Sequence, residues 1–255
     1  MASTALIHGA GPFVGLRVAI TGGTSGLGLA LVGELVGRGA NVAFVARGAE
    51  RVERVARQHG AHGIVGDVSR KEDIHPIALQ ITGELGGLDI LINNASDLGP
   101  VPLALLGDTE CEDLERALAT NVVGPFRLTR ALLGALSSSA REGRGGVVVN
   151  VSSDAAVSAY PRWGAYGASK AALRHLSAIW NAEQPADGIR FLSLDPGDMD
   201  TPLHALAVPD ADRSSLKPPE AAAGELADAI AAALPSREPG GSCSPVAAGV
   251  EEGMP

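Results

Sequence analysis

Short apolar runs rich in Val, Ile and Leu alternate with longer amphipathic stretches along most of the chain. A short apolar run bounded by turn residues predicts a buried strand, whereas apolar positions three and four residues apart predict a helix. We expect strands over residues 17–21, 41–46, 63–66, 88–93, 147–151 and 189–194. We expect helices over residues 27–38, 49–59, 71–85, 112–119, 122–137, 163–181 and 219–233. Such alternation predicts a parallel sheet covered by helices on both faces.

A chain of 255 residues suits one domain of this doubly wound, Rossmann-type α/β class. We expect the domain over residues 16–235, after a flexible extension over residues 1–15. Residues 198–218, rich in Pro, Ala and Asp, are predicted to form a mobile lid over a substrate. Residues 236–255 contain only a short VAAGV run, so we expect a weak or absent last strand and a mobile tail.

Composition and charge narrow the classes of function. The net charge of −9 and the pI near 5.1 argue against nucleic acid or an anionic membrane as a partner. No run reaches the ~18 apolar residues that a membrane span needs. The two cysteines, Cys111 and Cys243, form no CxxC motif, so we expect neither a disulfide framework nor a metal site. These features predict a cytoplasmic protein.

Two titratable side chains, Tyr166 and Lys170, stand four residues apart in a predicted helix and therefore share one face of it. A neighbouring ammonium favours the phenolate and lowers the pKa of a tyrosine, so the pair can act as a general acid and base. The chain has three lysines and two tyrosines, and chance gives this spacing at a rate of about 2 %. The alternative is an exposed ring beside a solvated lysine. The other tyrosine, Tyr160, has Gly164 at the corresponding position and is not the acid.

A glycine-rich turn, TGGTSGLG over residues 21–28, directly follows the first predicted strand and opens the first predicted helix. Such a turn lets backbone amides approach a pyrophosphate at the positive end of a helix. At the end of the second strand, Ala46 and Arg47 occupy the place where a carboxylate would hold a ribose 2′-hydroxyl. Because an arginine there accommodates a 2′-phosphate, NADP(H) is favoured over NAD(H). The alternative is that Arg47 is a solvated surface charge.

Ser153 lies two residues after the predicted strand over residues 147–151 and thirteen residues before Tyr166. With Tyr166 and Lys170 it resembles the active-site signature of the short-chain dehydrogenase/reductase family. The glycine turn resembles the TGxxxGxG turn of that family, and the resemblance covers residues 16–233. Here Ser96 replaces the glycine of the family's NNAG element, so the loop over residues 97–106 is expected to run differently and to line the substrate pocket. The other matching elements are Asp67-Val68, Asn93-Asn94-Ala95, Asn121 and the loop over residues 195–201.

The resemblance implies a role for each of these residues. In the reductive direction Tyr166 donates a proton to the carbonyl oxygen, Ser153 orients that oxygen, and Lys170 lowers the pKa of the tyrosine and holds the nicotinamide ribose. Asn121 supports a proton path through water; taken alone, it could as well bond its own backbone. The implied cofactor residues are Gly22, Thr24, Ser25, Gly26, Leu27, Gly28, Arg47, Asp67, Val68, Asn94, Ala95, Tyr166, Lys170, Pro196, Gly197, Met199 and Thr201. The candidate pocket residues are Ser96, Leu98, Asp154, Tyr160, Trp163 and Leu203, with His204 interpreted as facing solvent.

We therefore predict an oxidoreductase that transfers hydride between NADP(H) and a small-molecule carbonyl or alcohol by a Ser-Tyr-Lys mechanism, without a metal. A first alternative is a non-catalytic NADP(H)-binding sensor or regulator with the same fold, although a sensor does not need these three side chains. A second is a sugar-nucleotide epimerase or dehydratase, which shares Tyr-x-x-x-Lys but needs a longer substrate domain than the 85 residues after Lys170. The resemblance also implies a homodimer or homotetramer, paired through the helices that carry Asn121 and Lys170.

Overall fold

The strands of the computed structural model, which describes residues 11–184 and 188–235, all run in one direction. They are β1 (Arg17–Thr21), β2 (Asn41–Ala46), β3 (His62–Val65), β4 (Ile90–Asn93), β5 (Val147–Val151) and β6 (Arg190–Leu194). The helices are α1 (Gly26–Gly37), α2 (Ala49–His59), α3 (Lys71–Leu85), α4 (Cys111–Leu118), α5 (Gly124–Arg141), α6 (Gly164–Glu183), α7 (Pro202–Ala207) and α8 (Pro219–Ala233). The predicted tail, Cys243 and residues 1–10 of the predicted extension lie outside the described residues.

The order of the strands creates a crevice at the carboxyl edge of the sheet. Within the described ranges the order is β3-β2-β1-β4-β5-β6, and each neighbouring pair is parallel. Val18 of β1 stands opposite Val42 of β2 on one side and Ile90 of β4 on the other. The strand order reverses direction between β1 and β4, which is where open α/β sheets bind ligands. The predicted doubly wound, Rossmann-type sheet is confirmed.

Apolar side chains cover both faces of the sheet. On one face Leu31 and Leu35 of α1 pack with Ile230 of α8, and on the other face Ile77 of α3 packs with Leu132 of α5. Each of these side chains is at most 1 % exposed. Burial of one such side chain contributes roughly 1.5–3 kcal/mol relative to its exposure. Because both faces are covered, the strands are continuous apolar runs in the sequence.

The described part of the predicted N-terminal extension packs against the domain. The ring of Phe13 is fully buried, and the guanidinium of Arg38 lies 5.9 Å from its centroid. The Gly15 amide donates a hydrogen bond of 3.0 Å to the carbonyl oxygen of Gly39. The expected boundary at residue 16 therefore differs from the structure, because the apolar ring of Phe13 belongs to the core.

A charged cluster closes the amino edge of the sheet, opposite the crevice. The Asp89 carboxylate is fully buried and accepts hydrogen bonds from Arg17 Nη2 at 2.6 Å, Ser139 Oγ at 2.6 Å and Arg144 Nη2 at 3.3 Å. Burial alone would raise the pKa of Asp89, but these hydrogen bonds outweigh it and hold the pKa at about 2. The cluster joins β1, β4 and α5 at the edge of the sheet that faces away from the crevice.

Two local features depart from the predicted elements. A π-helical turn, Ala119–Val123, joins α4 directly to α5, where the sequence analysis expected two separate helices. The short helix α7, capped by Thr201 Oγ1, which accepts a bond from the His204 amide at 3.2 Å, lies inside the predicted lid segment. Across the described residues, no helix combines the length and the apolar character needed to cross a bilayer.

Candidate active site

A cavity of about 750 Å³ opens at the carboxyl ends of the strands. Its walls come from the turn after β1, the ends of β2 and β3, the loop after β4, the end of β5, α6 and α7. Residues assigned to three different roles from sequence therefore share one space. The assigned residues that line it are Gly22, Thr24, Ser25, Gly26, Leu27, Gly28, Arg47, Asp67, Val68, Asn94, Ala95, Ser96, Leu98, Ser153, Asp154, Tyr160, Trp163, Tyr166, Lys170, Pro196, Gly197, Met199, Thr201 and Leu203.

Two glycines of the turn form a cradle in the wall of the cavity. A Cβ on Gly28 would overlap the carbonyl oxygen of Gly22 and lie 2.5 Å from Asn94 Nδ2, and Gly22 itself has a φ of +73°. Asn94 Nδ2 donates to the carbonyl oxygen of Thr21 at 2.9 Å, and Thr21 Oγ1 accepts bonds of 3.0 Å from the Asn94 and Ala95 amides. The loop after β4 thus pins the glycine turn in a shape that admits no side chain at Gly28.

The amino end of α1 faces the cavity beside two arginines. Ser25, just before the helix, makes no side-chain capping bond, so the first amides of α1 are available to an anion. Arg47 follows β2 and Arg51 lies in the first turn of α2; both are exposed and both line the cavity. The sequence analysis missed Arg51, although its place four residues after Arg47 at the start of a predicted helix was a usable signal.

Buried polar side chains fix the position of α6 on the sheet. Asn93 Nδ2 of β4 donates to Asn150 Oδ1 of β5 at 2.8 Å, and Asn150 Nδ2 donates to Ser177 Oγ of α6 at 2.9 Å. The Ser177 hydroxyl in turn donates to the Leu173 carbonyl oxygen at 2.9 Å. Connected hydrogen bonds of this kind are strong in a low-dielectric interior and hold their elements in one arrangement.

Helix α6 brings Tyr166 and Lys170 to the wall of the cavity. Their exposed fractions are 8 % and 2 %. Lys170 Nζ donates to the Val151 carbonyl oxygen at 2.8 Å and lies 5.5 Å from the centroid of the Tyr166 ring. The Trp163 ring meets the Tyr166 ring edge to face, with the centroids 5.6 Å apart. Because both side chains are buried, the alternative of an exposed ring beside a solvated lysine is wrong.

The ionisation of Tyr166 is governed by burial. Loss of solvent around the phenol raises the pKa of Tyr166 to about 12. The hydroxyl groups of Ser153 and Ser96 lower this pKa in part, and the negative charges of Asp195 and Asp154 raise it. The phenol is therefore protonated at neutral pH, which is the state of a proton donor.

The effect expected of Lys170 on Tyr166 is not what the structure shows. Complete burial lowers the pKa of Lys170 to about 8, against the opposing charge of Asp195. The pKa of Tyr166 is raised and not lowered as expected, because desolvation of the phenol outweighs the favourable contacts around it. The four-residue spacing of Tyr166 and Lys170 predicts their proximity, but it does not predict that both side chains are buried.

Ser153 is held at the cavity by its own backbone segment. Its hydroxyl donates to Asp154 Oδ1 at 3.0 Å and accepts a bond of 3.2 Å from the Ala155 amide, at the start of the 3-10 turn Asp154–Ala156. The Tyr160 hydroxyl donates to Asp154 Oδ2 at 2.8 Å, which lowers the pKa of the Asp154 carboxyl. Asp154 therefore links the serine to Tyr160, whose ring is 45 % exposed.

Asn121 is not one of the residues that line the cavity, whereas its neighbour Thr120 is. Asn121 is fully buried in the π-helical turn, and its Oδ1 accepts a bond of 2.8 Å from the Asp97 amide. Its Nδ2 donates to the Asp97 carbonyl oxygen at 2.7 Å and to Ser169 Oγ at 2.8 Å. The alternative that it bonds its own backbone is wrong, because the side chain ties the loop after β4 to α6.

The loop after β6 and the segment with α7 close the other wall. Gly197 has a φ of +74°, and its amide donates to Asp195 Oδ1 at 2.9 Å. Met199 pairs with Lys217 in an isolated bridge, which brings the two ends of the predicted lid together. The interpretation of His204 as facing solvent is wrong, because its ring lines the cavity and its Nδ1 is buried.

Comparisons with known proteins agree on one family. A family model described as short chain dehydrogenase matches residues 17–212. An uncharacterized oxidoreductase of Mycobacterium tuberculosis is 37 % identical over 224 residues, which cover 85 % of this chain and 64 % of the relative. The chain thus spans less than two thirds of the length of this curated relative.

Two solved structures with named ligands resemble the fold closely. A 3-ketoacyl-(acyl-carrier-protein) reductase from Brucella melitensis, complexed with NADH, has a TM-score of 0.79 and 27 % identity, covering 86 % of this chain and 91 % of that one. An alcohol dehydrogenase from Thermococcus sibiricus, complexed with 5-hydroxy-NADP, has a TM-score of 0.73 and 26 % identity, covering 84 % and 90 %. Similar structures therefore carry both kinds of nicotinamide cofactor.

Proposed function

The chain belongs to the short-chain dehydrogenase/reductase family of oxidoreductases, and we propose that it interconverts a carbonyl and an alcohol of a small molecule with NADP(H). One observation carries the proposal. The Tyr166 phenol and the buried ammonium of Lys170 line the same cavity as the glycine cradle. A group able to donate a proton therefore shares one space with a surface suited to the phosphates of a dinucleotide.

The residues around the cavity fit a nicotinamide dinucleotide. The cradle at Gly22 and Gly28 excludes side chains, and the uncapped amino end of α1 offers amides to the pyrophosphate. Asp67 and Val68 would contact the adenine end, and the loops at 94–95 and 196–201 would contact the nicotinamide end. When bound, this group supplies or accepts the hydride.

Three side chains would carry the proton chemistry. Tyr166 donates its proton to the carbonyl oxygen of the substrate in the reductive direction. Ser153 would turn its one O–H bond from Asp154 to the same oxygen and donate a hydrogen bond to it. Lys170 has two further N–H bonds beyond the one to Val151, which would bind hydroxyls of the cofactor ribose. Its positive charge, held in a low-dielectric site, stabilises the negative charge that develops on the two oxygens. Asn121 would act by fixing the loop and α6 around these groups.

The preference for NADP(H) would come from Arg47 and Arg51. Both line the cavity beyond the end of β2, where the 2′-position of the adenosine ribose lies in folds of this class. Exposed guanidinium groups bind phosphate with charge-assisted hydrogen bonds. The similar structures contain both NADH and an NADP derivative, so the support for NADP(H) comes from this chain's own arginines.

The substrate would bind between Tyr166 and the segment over residues 198–218. Leu98, Trp163 and Leu203 provide apolar walls there, while Asp154 and Tyr160 provide polar groups at the mouth. Within this segment the Arg213 guanidinium forms an ion pair of 2.8 Å with the Asp200 carboxylate. This ion pair joins the two ends of the segment, which would then move as one lid over a bound substrate.

A homodimer or homotetramer would form through α5 and α6. The Phe126 ring, 38 % exposed, stacks on Trp180 of α6 with centroids 5.9 Å apart, and Ile179 is exposed beside them. Light scattering of the purified chain would test this, since a monomer at micromolar concentration would contradict it.

Titration with NADPH and with NADH, followed by cofactor oxidation against a panel of ketones, aldehydes and diketones, tests the function. Tight binding of NADPH with turnover on a carbonyl would support the proposal. Binding without turnover across the whole panel would favour the sensor alternative, and preference for NADH would overturn the role of Arg47 and Arg51.

A further inference from the structure

The hydroxyl of Ser96 is buried without a hydrogen-bond partner among the described residues. An unsatisfied buried polar group costs roughly 1–3 kcal/mol, so such a group in a folded protein calls for an explanation. Ser96 also lines the cavity, which gives its hydroxyl access to the site. The residue stands where the resembling family has a glycine, so its hydroxyl is an addition to that family pattern.

The loop that carries Ser96 packs against Tyr166. Leu98, two residues further along the same loop, packs with Tyr166 and Ala155 in a small apolar cluster. The residue between them, Asp97, is fixed by Asn121, which bonds both its amide and its carbonyl oxygen at 2.8 and 2.7 Å. The loop that carries Ser96 is therefore held firmly against the residue that we propose as the proton donor.

Two serines line the same cavity as Tyr166 and come from different parts of the sheet. Ser153 follows the end of β5, and Ser96 lies in the loop after β4. Both hydroxyls favour the ionised form of the phenol and lower its pKa, against the effect of burial. The Ser153 hydroxyl already donates to Asp154 and accepts from Ala155, whereas Ser96 has its donor capacity free within the described part of the chain.

We propose that the Ser96 hydroxyl donates a hydrogen bond to the phenolic oxygen of Tyr166 and stabilises the phenolate that forms in the reaction. The inference rests on the proposed function and names one further residue of that site. As hydride adds to the carbonyl carbon, the O–H proton of Tyr166 moves to the carbonyl oxygen, and the electron pair of that O–H bond stays on the phenolic oxygen. Ser96 keeps its own proton and donates a hydrogen bond to that oxygen. A charge-assisted bond of this kind is strong in a buried site.

Ionisation of the phenol can be measured directly without turnover. The chain has two tyrosines, so a Tyr160→Phe background leaves Tyr166 as the single site for biosynthetic fluorotyrosine. Fluorination lowers the pKa of a phenol into a range where the fold survives, and the ¹⁹F resonance reports ionisation as the pH rises. Ser96→Ala is expected to lower the ionisation constant of this phenol about tenfold, which raises its pKa. Ser96→Thr, which keeps a hydroxyl, and Ser138→Ala, which changes a half-buried serine of α5, are expected to leave the pKa of Tyr166 in place.

Kinetics provide a second and separate result. In the oxidative direction, Ser96→Ala is expected to lower kcat about tenfold at pH 8 and to move the pH profile upward, with the KM for the cofactor unchanged. An unchanged fluorine titration curve in Ser96→Ala would overturn the inference, even if the enzyme turns over carbonyls. A curve displaced to higher pH in a protein that reduces no carbonyl would support the contact and overturn the proposed function instead.

Discussion

Lys170 Nζ donates a hydrogen bond of 2.8 Å to the carbonyl oxygen of Val151, so helix α6 is tied to the end of β5 by a buried charge. This is a costly arrangement for stability, because complete burial lowers the pKa of Lys170 from 10.5 to about 8. The site therefore keeps a group that weakens the fold. Functional sites commonly contain residues of this kind.

Lys170→Met is expected to stabilise the protein by roughly 1–3 kcal/mol at pH 7 without added nucleotide, because the variant no longer buries an ammonium. The folded-state pKa is lowered, so the penalty is complete below about pH 8 and is relieved as the pH rises towards 10.5. Urea unfolding of the wild-type protein should thus show stability rising across that window, with a flat curve in Lys170→Met. The exposed Lys71 is the matched control, and a destabilised Lys170→Met protein would contradict the account.

Gly28→Ala is expected to abolish nucleotide binding and to destabilise the fold by about 1–3 kcal/mol. The new Cβ would overlap the carbonyl oxygen of Gly22 and approach Asn94 Nδ2 to 2.5 Å, which forces the cradle apart. Gly37→Ala in the same helix is the control, because no atom of residues 11–184 or 188–235 lies within 4 Å of its added Cβ, leaving out its chain neighbours and the helix's own nearby backbone. That change should stabilise the protein by about 0.5–1 kcal/mol. Retained NADPH binding in Gly28→Ala, measured by calorimetry, would refute the cradle as the pyrophosphate site.

Arg47→Ala is expected to weaken NADPH binding by about 10- to 100-fold and to change NADH binding little. This factor corresponds to the free energy of one hydrogen bond to a charged group. Arg51→Ala should have a smaller effect in the same direction, because both arginines line the cavity. Arg54, exposed on the same helix, provides the control. Equal losses for NADPH and NADH in a fluorescence titration would show that Arg47 does not recognise a 2′-phosphate.

Asp89→Asn is expected to lower the free energy of unfolding by roughly 2–4 kcal/mol near pH 6. It should also make this free energy depend less on pH in the acid range. The folded-state pKa of Asp89 is held at about 2, below its ordinary value of 3.8. The contribution of Asp89 to the free energy of unfolding is therefore complete above pH 3.8. The contribution disappears as the pH falls through 2. Asp228→Asn removes an exposed partner of Arg38 and should change stability by less than about 1 kcal/mol. Acid unfolding curves that coincide for wild type and Asp89→Asn would contradict this role.

The elements set by local patterns were predicted well. The bounds expected for β1, β2, α2, α3 and β5 agree with the structure, because apolar runs and turn residues define them locally. The spacing of Tyr166 and Lys170 was equally informative, since four residues make one turn of a helix wherever the helix lies. Arg51 could have been found by the same argument from Arg47.

Other features depend on contacts between distant segments. The π-helical turn accompanies bonds from Asn121 to Asp97 and Ser169, which lie 24 and 48 residues away. The raised pKa of Tyr166 follows from burial by residues of several elements, and His204 faces the cavity because α7 folds back over it. None of these can be deduced from a spacing along the chain.

The most direct test of the account is the rate of NADPH oxidation by Tyr166→Phe with a carbonyl substrate on which the wild-type protein turns over. This change removes only the phenolic hydroxyl that we propose as the proton donor. The account predicts a loss of about 100-fold or more in kcat, with the Kd for NADPH within twofold of the wild-type value. A rate close to that of the wild-type protein, with NADPH bound equally well, would contradict the central claim.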